Sequence, residues 1–394
     1  MNNAIYQDIR VLDLSTNIAG PLIGMSLGDL GADVIKIEKP PYGDDTRALP
    51  PQHESGSSVF TTFNRNKRSL CIDIRSDQGK RVLKKLVESA DVVIESFPPG
   101  FADIHGYLYD DFKKINPAII LCSVSAFGEK NIGKKMPGYD ALVQSVSGMM
   151  SFTGHPNQDP VRVAPSILDI STGMWGVINT MAALKQREDS PAEGRHVTVS
   201  LIDSAFTMMS HQITSMLVSG QPPEPLGSGA PSAAPYRVFN TKNGRFMLAT
   251  ASQAQFVRLC HALSMPALID KPEFSTMDAR IANRVALDTI LQEHFQNLDI
   301  ENCLNLLSSN GISVGKVNRL DEALSNAVAI ERDIFIAPES IGWAGGIPLI
   351  KSPVGQNFSQ PYRRPPTIGE HNDEILKSLE INKLSLTNHN NEGV

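Results

Sequence analysis

The sequence predicts an α/β protein organised around a parallel sheet. Three observations carry that prediction. Short apolar runs rich in β-branched residues alternate with helical patterns over the first 130 residues. Those runs are continuously apolar, as in strands covered on both faces, rather than alternating. The composition, 41% apolar and 20% charged across 394 residues, is that of a globular chain long enough for two domains.

The elements follow in order. IRVLDLS (9–15) is the first strand. After it come the turn TNIAGP and a helix in PLIGMSLGDLG (21–31), with Pro21 in its first turn and Gly31 at its exit. ADVIKIE (32–38) is the second strand. DQGKRVLKKLVESA (77–90) spaces its apolar residues as a helix does, and DVVIESF (91–97) and AIILCSV (118–124) are strands again. Helical patterns dominate from 139 to 218. The composition then turns to Pro, Gly and Ser in QPPEPLGSGAPSAAP (221–235), which reads as a linker. YRVFNTKNGRFMLAT is a hairpin turning at Lys242-Asn243-Gly244, and helices continue to about 330. Loop and helix character resumes near 335, and the tail from 382 is polar enough to fray.

Several function classes are disfavoured. The balance of 36 basic and 42 acidic residues, a net charge of −6, argues against nucleic-acid or membrane-surface binding. No apolar run reaches about 18 residues, so no membrane span is expected. The start MNNAIYQDIR lacks a basic-then-apolar signal. A cytoplasmic protein is expected. Its four cysteines, Cys71, Cys122, Cys260 and Cys303, form no CxxC pair and read as reduced thiols in strands and helices. The turn after the first strand lacks GxGxxG, which leaves a nicotinamide dinucleotide site unsupported. No metal-ligand spacing and no Ser-His-Asp order can be assembled.

Two groups of residues point to chemistry. NRNKRSLCIDIR (64–75) sets Arg65, Lys67, Arg68 and Arg75 around a strand, with Lys39 and Arg47 near the end of the second. Ligands of open α/β sheets dock at strand ends, so these cations read either as a phosphate site or as a solvated charged face. The other is Asp169, inside the apolar APSILDISTGMWG (164–176). It reads as a helix N-cap, or as a nucleophilic carboxylate kept ionised by the positive end of the helix and able to attack an activated acyl group. One residue can do both. In GYD (138–140), Tyr139 and Asp140 precede a helix as a cap or as a second acid. His155 reads as a turn residue and His211 as a core histidine. The turn in ATASQAQF (249–256) suits an anion or an ordinary cap.

Four long, ordered stretches carry a resemblance. They are IRVLDLSTNIAGPLIGMSLGDLGADVIKIEKPPYGDDTR, FNRNKRSLCIDIRSDQGKRVLKKLVESADVVIESFPPG, GYDALVQSVSGMMSFTG and RVAPSILDISTGMWGVINTMAAL. From about residue 8 to 376 the chain resembles the family III CoA-transferases (CaiB/BaiF type). The resemblance implies a Rossmann-like large domain, with a parallel sheet formed from both chain ends, and a smaller α+β domain. It also implies an interlocked, ring-like homodimer. The matching division is 1–220 and 331–394 for the large domain, 221–235 for the linker and 236–330 for the small one. The implied substrates are an acyl-CoA thioester and a free carboxylic acid. No metal and no permanently bound cofactor is implied.

Residue by residue, the resemblance puts the nucleophile at Asp169, with Tyr139 and Asp140 beside it. Thr16, Asn17, Ile18 and Ala19 match the segment touching pantetheine. Lys39 takes an adenine-side basic position, Ile72 and Arg75 line the nucleotide, and Ser96 and Phe97 lie on the CoA path. Ser96 replaces a usual asparagine, Ile104 (beside His105) an arginine that often contacts phosphate, and Pro137 a lysine of formyl-CoA transferase. The Gly-rich acceptor loop of the oxalate enzyme is missing. These departures point away from formate and oxalate. GDDTR and NRNKRS are worded most like the dicarboxylate enzymes, with succinyl-CoA as donor and Arg47, Arg65 and Arg68 as partners for a distal carboxylate. Two further readings accompany this one. Racemisation of 2-methylacyl-CoA would need a histidine where Tyr139 stands. A CoA-binding protein without catalysis would need no nucleophile.

Overall fold

The apolar runs of the first two hundred residues fold as one six-stranded sheet. Its strands are β1 (Arg10–Asp13), β2 (Asp33–Glu38), β3 (Lys67–Cys71), β4 (Val92–Glu95), β5 (Ile120–Ser125) and β6 (Arg195–Ser200). They lie in the order β3-β2-β1-β4-β5-β6, and every pairing is parallel. This is the doubly wound order, with its reversal between β1 and β4. Val11, Leu12, Val92, Val93, Ile94 and Ile120 are fully buried, which explains why these strands show no polar face. The computed structural model describes residues 4–354 and 361–380, so the polar tail from 382 lies outside the described residues.

The helices that matter here are α1 (Ala19–Asp29), α2 (Asp77–Glu88), α3 (Tyr109–Ile115), α4 (Asp140–Val146), α5 (Ile167–Asp189) and α6 (Leu201–Met208). Helix α2 shows why the sequence was readable. Val82, Leu83, Leu86 and Val87 recur at helical spacing and are buried, and Ser76 caps the first turn by accepting the Gly79 N–H at 3.0 Å. Helix α5 behaves differently. A Cβ on Gly173 would sit 2.6 Å from Leu22 Cδ2 and 2.9 Å from the Ala19 carbonyl oxygen, and one on Gly176 would sit 2.2 Å from Ile23 Cδ1. Two glycines therefore let α5 lie against α1. Among the described helices, α5 is also long and apolar enough to cross a membrane, contrary to the expectation of no such segment. Ser171, Thr172, Asn179 and Thr180 interrupt the apolar run without adding charge, and half of the stretch is buried.

The expected sheet from both chain ends is not what forms. All six strands lie between Arg10 and Ser200. Among the described residues after 334, the strands are the two-residue antiparallel pair Phe335–Ile336 and Leu349–Ile350. The returning chain instead covers the edge of β3. The His371 N–H donates to the Ser69 carbonyl at 3.0 Å, and the Cys71 N–H donates to Asn372 Oδ1 at 2.8 Å. The helix Asn372–Ser378 then adds Ile375 and Leu376 to the core beneath. An edge strand is satisfied this way without a seventh strand.

The chain forms two compact units. One gathers the described residues within Met1–Ser147, Val163–Ser215 and Ile334–Val394; the other is Gly148–Arg162 with Met216–Asp333. The second unit holds an antiparallel sheet containing the expected hairpin, Tyr236–Asn240 against Arg245–Ala249, closed by the Thr241 N–H on the Gly244 carbonyl at 2.8 Å. Its core is aromatic, with the Phe246 and Phe295 rings 5.0 Å apart at 88°. The four cysteines are free thiols, and Cys71 is the half-buried one.

Candidate active site

Ligands of doubly wound sheets bind where the strand order reverses, and the loops leaving β1 and β4 meet there. The Thr16 N–H donates to Ser96 Oγ at 2.9 Å, so the two stretches expected to touch CoA are bonded to one another. Asn17 takes a left-handed φ of 67°, which turns the chain into α1 at Ala19. Phe97 donates its N–H to Glu95 Oε2 at 2.7 Å and packs its ring 4.7 Å from Phe101. Burial pushes the Glu95 carboxyl up to about 7, against the hydrogen bonds from Ser123 and Phe97.

Beneath the β1 turn lies a buried charge network. Lys67 Nζ is 2.7 Å from Asp13 Oδ2, Lys36 Nζ is 3.0 Å from Asp44 Oδ2, and Lys36 also donates to the Ser15 carbonyl at 2.7 Å. Burial pushes Asp13 up, but Lys36 and Lys67 outweigh it and hold this carboxyl below its usual range. Burial lowers Lys67 to about 8.

The basic cluster expected near 65–68 is therefore mostly structural. Arg65 is buried and clamps Asp29 through Nε and Nη2, at 2.9 and 2.5 Å. Arg68 holds Asp33 and Glu374, and Arg47 forks onto Glu38 while stacking over Phe60. Arg65 and Lys67 enter β3 at its N-terminal end, opposite to where ligands dock. Arg47, Arg65 and Arg68 thus already have carboxylate partners within the chain.

Lys39, Ile72 and Arg75 do follow the C-terminal ends of β2 and β3. Lys39 is exposed beside Asp45 at 2.7 Å, and Arg75 is exposed and forked onto Asp73 at 2.8 and 3.0 Å. The Ile72 side chain, 6% exposed, belongs to the core.

Asp169 is the third residue of α5, not its cap. Ser166, at the cap position, makes no capping hydrogen bond through its side chain. Asp140 caps the helix instead. Its Oδ2 accepts the N–H groups of Leu168 at 2.7 Å and Asp169 at 3.2 Å, while its Oδ1 accepts Gln144 Nε2 at 2.5 Å. The Asp169 carboxyl is left half-buried and makes no hydrogen bond among the described residues. Burial first, and the charge of Asp140 second, push it up to about 7. That direction runs against the ionised state expected from the positive end of the helix. Tyr139 precedes α4 and is 73% exposed. Asp169 lies one turn before Gly173, about 6 Å along the helix axis from the point where α5 passes close to the Ala19 carbonyl at the start of α1.

The weaker candidates resolve plainly. His211 is exposed rather than core, because its helix Ser210–Ser219 buries no residue. His155 is exposed in its turn. At 249–256 the N–H groups are used internally: Ala251 donates to Gln255 Oε1 at 2.8 Å and Gln255 to Ser252 Oγ at 3.3 Å, an ordinary cap. Sequence reading did not single out Gln144, whose only signal was its spacing of four from Asp140.

The chain is similar to known proteins over nearly its whole length. The profile of CoA-transferase family III matches residues 6–372. The chain is 34% identical over 388 residues to a succinate–glutarate CoA-transferase of Agrobacterium fabrum, covering 96% of each chain. It is 32% identical over 383 residues to a succinyl-CoA:glutarate CoA-transferase of Homo sapiens, covering 96% of this chain and 87% of the relative. A crystal structure of a CaiB/BaiF family protein from Brucella suis aligns with a TM-score of 0.83 at 33% identity, over 94% of this chain and 98% of the other.

Proposed function

The chain belongs to CoA-transferase family III, and on that premise we propose that it passes CoA from succinyl-CoA to a second dicarboxylic acid through Asp169. It is a CoA-transferase; the substrate pair and the site residues are our reading. One observation carries it: a half-buried carboxyl free of hydrogen bonds among the described residues, made basic by burial and Asp140, at the head of a helix packed closely on α1.

The steps balance without metal or redox chemistry. The Asp169 carboxylate attacks the acyl-CoA carbonyl and expels CoA thiolate, giving a mixed anhydride. The thiolate attacks the aspartyl carbonyl, releasing the donor acid and leaving an aspartyl-CoA thioester. The acceptor carboxylate displaces the thiolate from that thioester, forming a second anhydride. The thiolate then attacks the acceptor's acyl carbon, and Asp169 departs as carboxylate. One thioester is exchanged for another. The N–H groups of Ala19 and Gly20 open α1, where helix donors have no intrahelical partner, and they suit the developing oxyanions. Thr16 to Ile18 hold the pantetheine end, Ser96 and Phe97 line its path, and Lys39, Ile72 and Arg75 face the nucleotide. Tyr139 and Asp140 flank the reacting acid. The names of the relatives support succinyl-CoA as donor and glutarate as a first acceptor to try.

The same proposal includes an interlocked homodimer, a domain division at 221–235 and near 331, and a cytoplasmic location. Exposed Met174, Trp175 and Ile178 on α5 support the dimer, and free cysteines suit the location. The test is transfer from succinyl-CoA to labelled glutarate, with mass analysis of the peptide holding residue 169. A CoA adduct on that peptide is expected. Unchanged turnover in Asp169→Ala would falsify the scheme.

A further inference from the structure

We propose that Gln144 is a positioning residue that sets the basicity of Asp169 by fixing the Asp140 carboxylate between two helices. The inference deepens the reading of Asp169 as nucleophile and rests on it. Gln144 is fully buried on α4, four residues after Asp140, so the two side chains stack on one helix face. Both ends of its amide are engaged. Nε2 donates to Asp140 Oδ1 at 2.5 Å, and Oε1 accepts the Val163 N–H at 2.8 Å. The segment leading into α5 is thereby tied to the same side chain that holds Asp140.

The consequence is a committed carboxylate. With Oδ1 held by Gln144, Oδ2 is left to the Leu168 and Asp169 N–H groups, and its charge stays at the head of α5. An apolar side chain would suit this buried position beside Val143, so the amide is there for its polar ends. Other charged groups on the packed elements are occupied or remote. Asp29 sits at the far end of α1 on Arg65, and Asp203 on α6 accepts the Ser200 hydroxyl. On β6, Arg195 and His196 open the strand, with His196 bonded to Ser123. On α5 itself, Lys185 and Arg187 lie in the last turns, on Glu188 and Asp91. Asp140 is the charge acting on Asp169.

Gln144→Leu leaves Asp140 Oδ1 buried without its donor and unties Val163 from α4, so nothing fixes the Asp140 carboxylate on the Leu168 and Asp169 N–H groups. A carboxylate that can turn away from the head of α5 opposes ionisation of Asp169 less. The acid limb of kcat/KM for succinyl-CoA should move down by about one pH unit, with kcat lower by about tenfold and KM within about twofold. Gln144→Glu keeps the shape but adds an ionisable carboxyl beside Asp140, so the limb should move up. Carbon-13 NMR titration of aspartate-labelled protein, with the Asp169 signal assigned by its loss in Asp169→Asn, reads the same shift without catalysis. Opposite shifts in the two variants support the proposal. Midpoints within about 0.3 unit of the parent, or shifts in the same direction, overturn it whatever the loss of rate, since a purely structural role lowers rate or stability alone. If Asp169→Asn still transfers CoA, the functional reading fails, while the NMR titration continues to decide the role of Gln144.

Discussion

At the scale of single residues, Asp169 is held against the interest of the fold. Its folded-state titration near 7 stands above the unfolded value near 4, so the folded chain binds this proton more tightly. The stability it contributes is complete below about pH 4 and is lost as pH rises through about 7. Asp169→Asn should therefore unfold at much the same temperature as the parent at pH 4.5, and a few degrees higher at pH 8, while losing at least ~1000-fold in transfer. Paired thermal melts check this; a variant less stable than the parent at pH 8 would show that the ionised carboxyl is welcome where it sits. Arg65 is the contrasting case. Its clamp on Asp29 is buried, so Arg65→Ala should cost about 3–5 kcal/mol of stability in a denaturant titration. The preference among acceptor acids should stay as it was in whatever enzyme remains folded. The sequence showed Asp169 as a charge in an apolar run and Arg65 as one of a basic cluster. It could not show that Arg65 has a partner 36 residues away and that Asp169 has none among the described residues, because pairing is a property of the folded chain.

Among the elements, the contact of α5 with α1 decides where the nucleophile points. Gly173→Ala gains up to ~1 kcal/mol of helix propensity. The new Cβ, however, meets the Ala19 carbonyl at 2.9 Å, and a backbone atom cannot swing away as a side chain can. Gly176→Ala meets the terminal methyl of Ile23, which can rotate. Gly173→Ala should thus lower stability by about 1–3 kcal/mol and displace the β1 turn, reducing kcat/KM for succinyl-CoA more than Gly176→Ala does. Equal losses would mean that the α1 contact does not set the site. The strands were legible because burial on both faces leaves an unbroken apolar run, as in Val92-Val93-Ile94. The cover of β3 was not, because it is made by single hydrogen bonds, donated by Gly369 and His371 and accepted by Asn372, which leave no periodicity. Nor was the cap of α5, since Asp140 and Leu168 are 28 residues apart.

On the scale of the whole molecule, the question is what covers the outer face of α5. Met174 is 57% exposed and Ile178, four residues on, 53%, with Trp175 between them and Phe206 and Met208 exposed on α6. Burying such a face is favourable by roughly 25 cal/mol per Å², so a lone chain in water forgoes several kcal/mol. The length and composition of α5 also fit a membrane, but its opposite face is already packed on α1 through Gly173 and Gly176. The proposed homodimer covers the exposed face without disturbing the packed one. It predicts a dimer in sedimentation equilibrium and no flotation with lipid vesicles. Ile178→Lys places a charge on that face, nine residues from Asp169 along the same helix. It should shift the protein toward monomer or aggregate and reduce transfer at low concentration, with partial recovery as concentration rises. An Ile178→Lys protein that is monomeric and fully active would separate the site from the assembly, and a parent that floats with vesicles would assign the face to lipid instead.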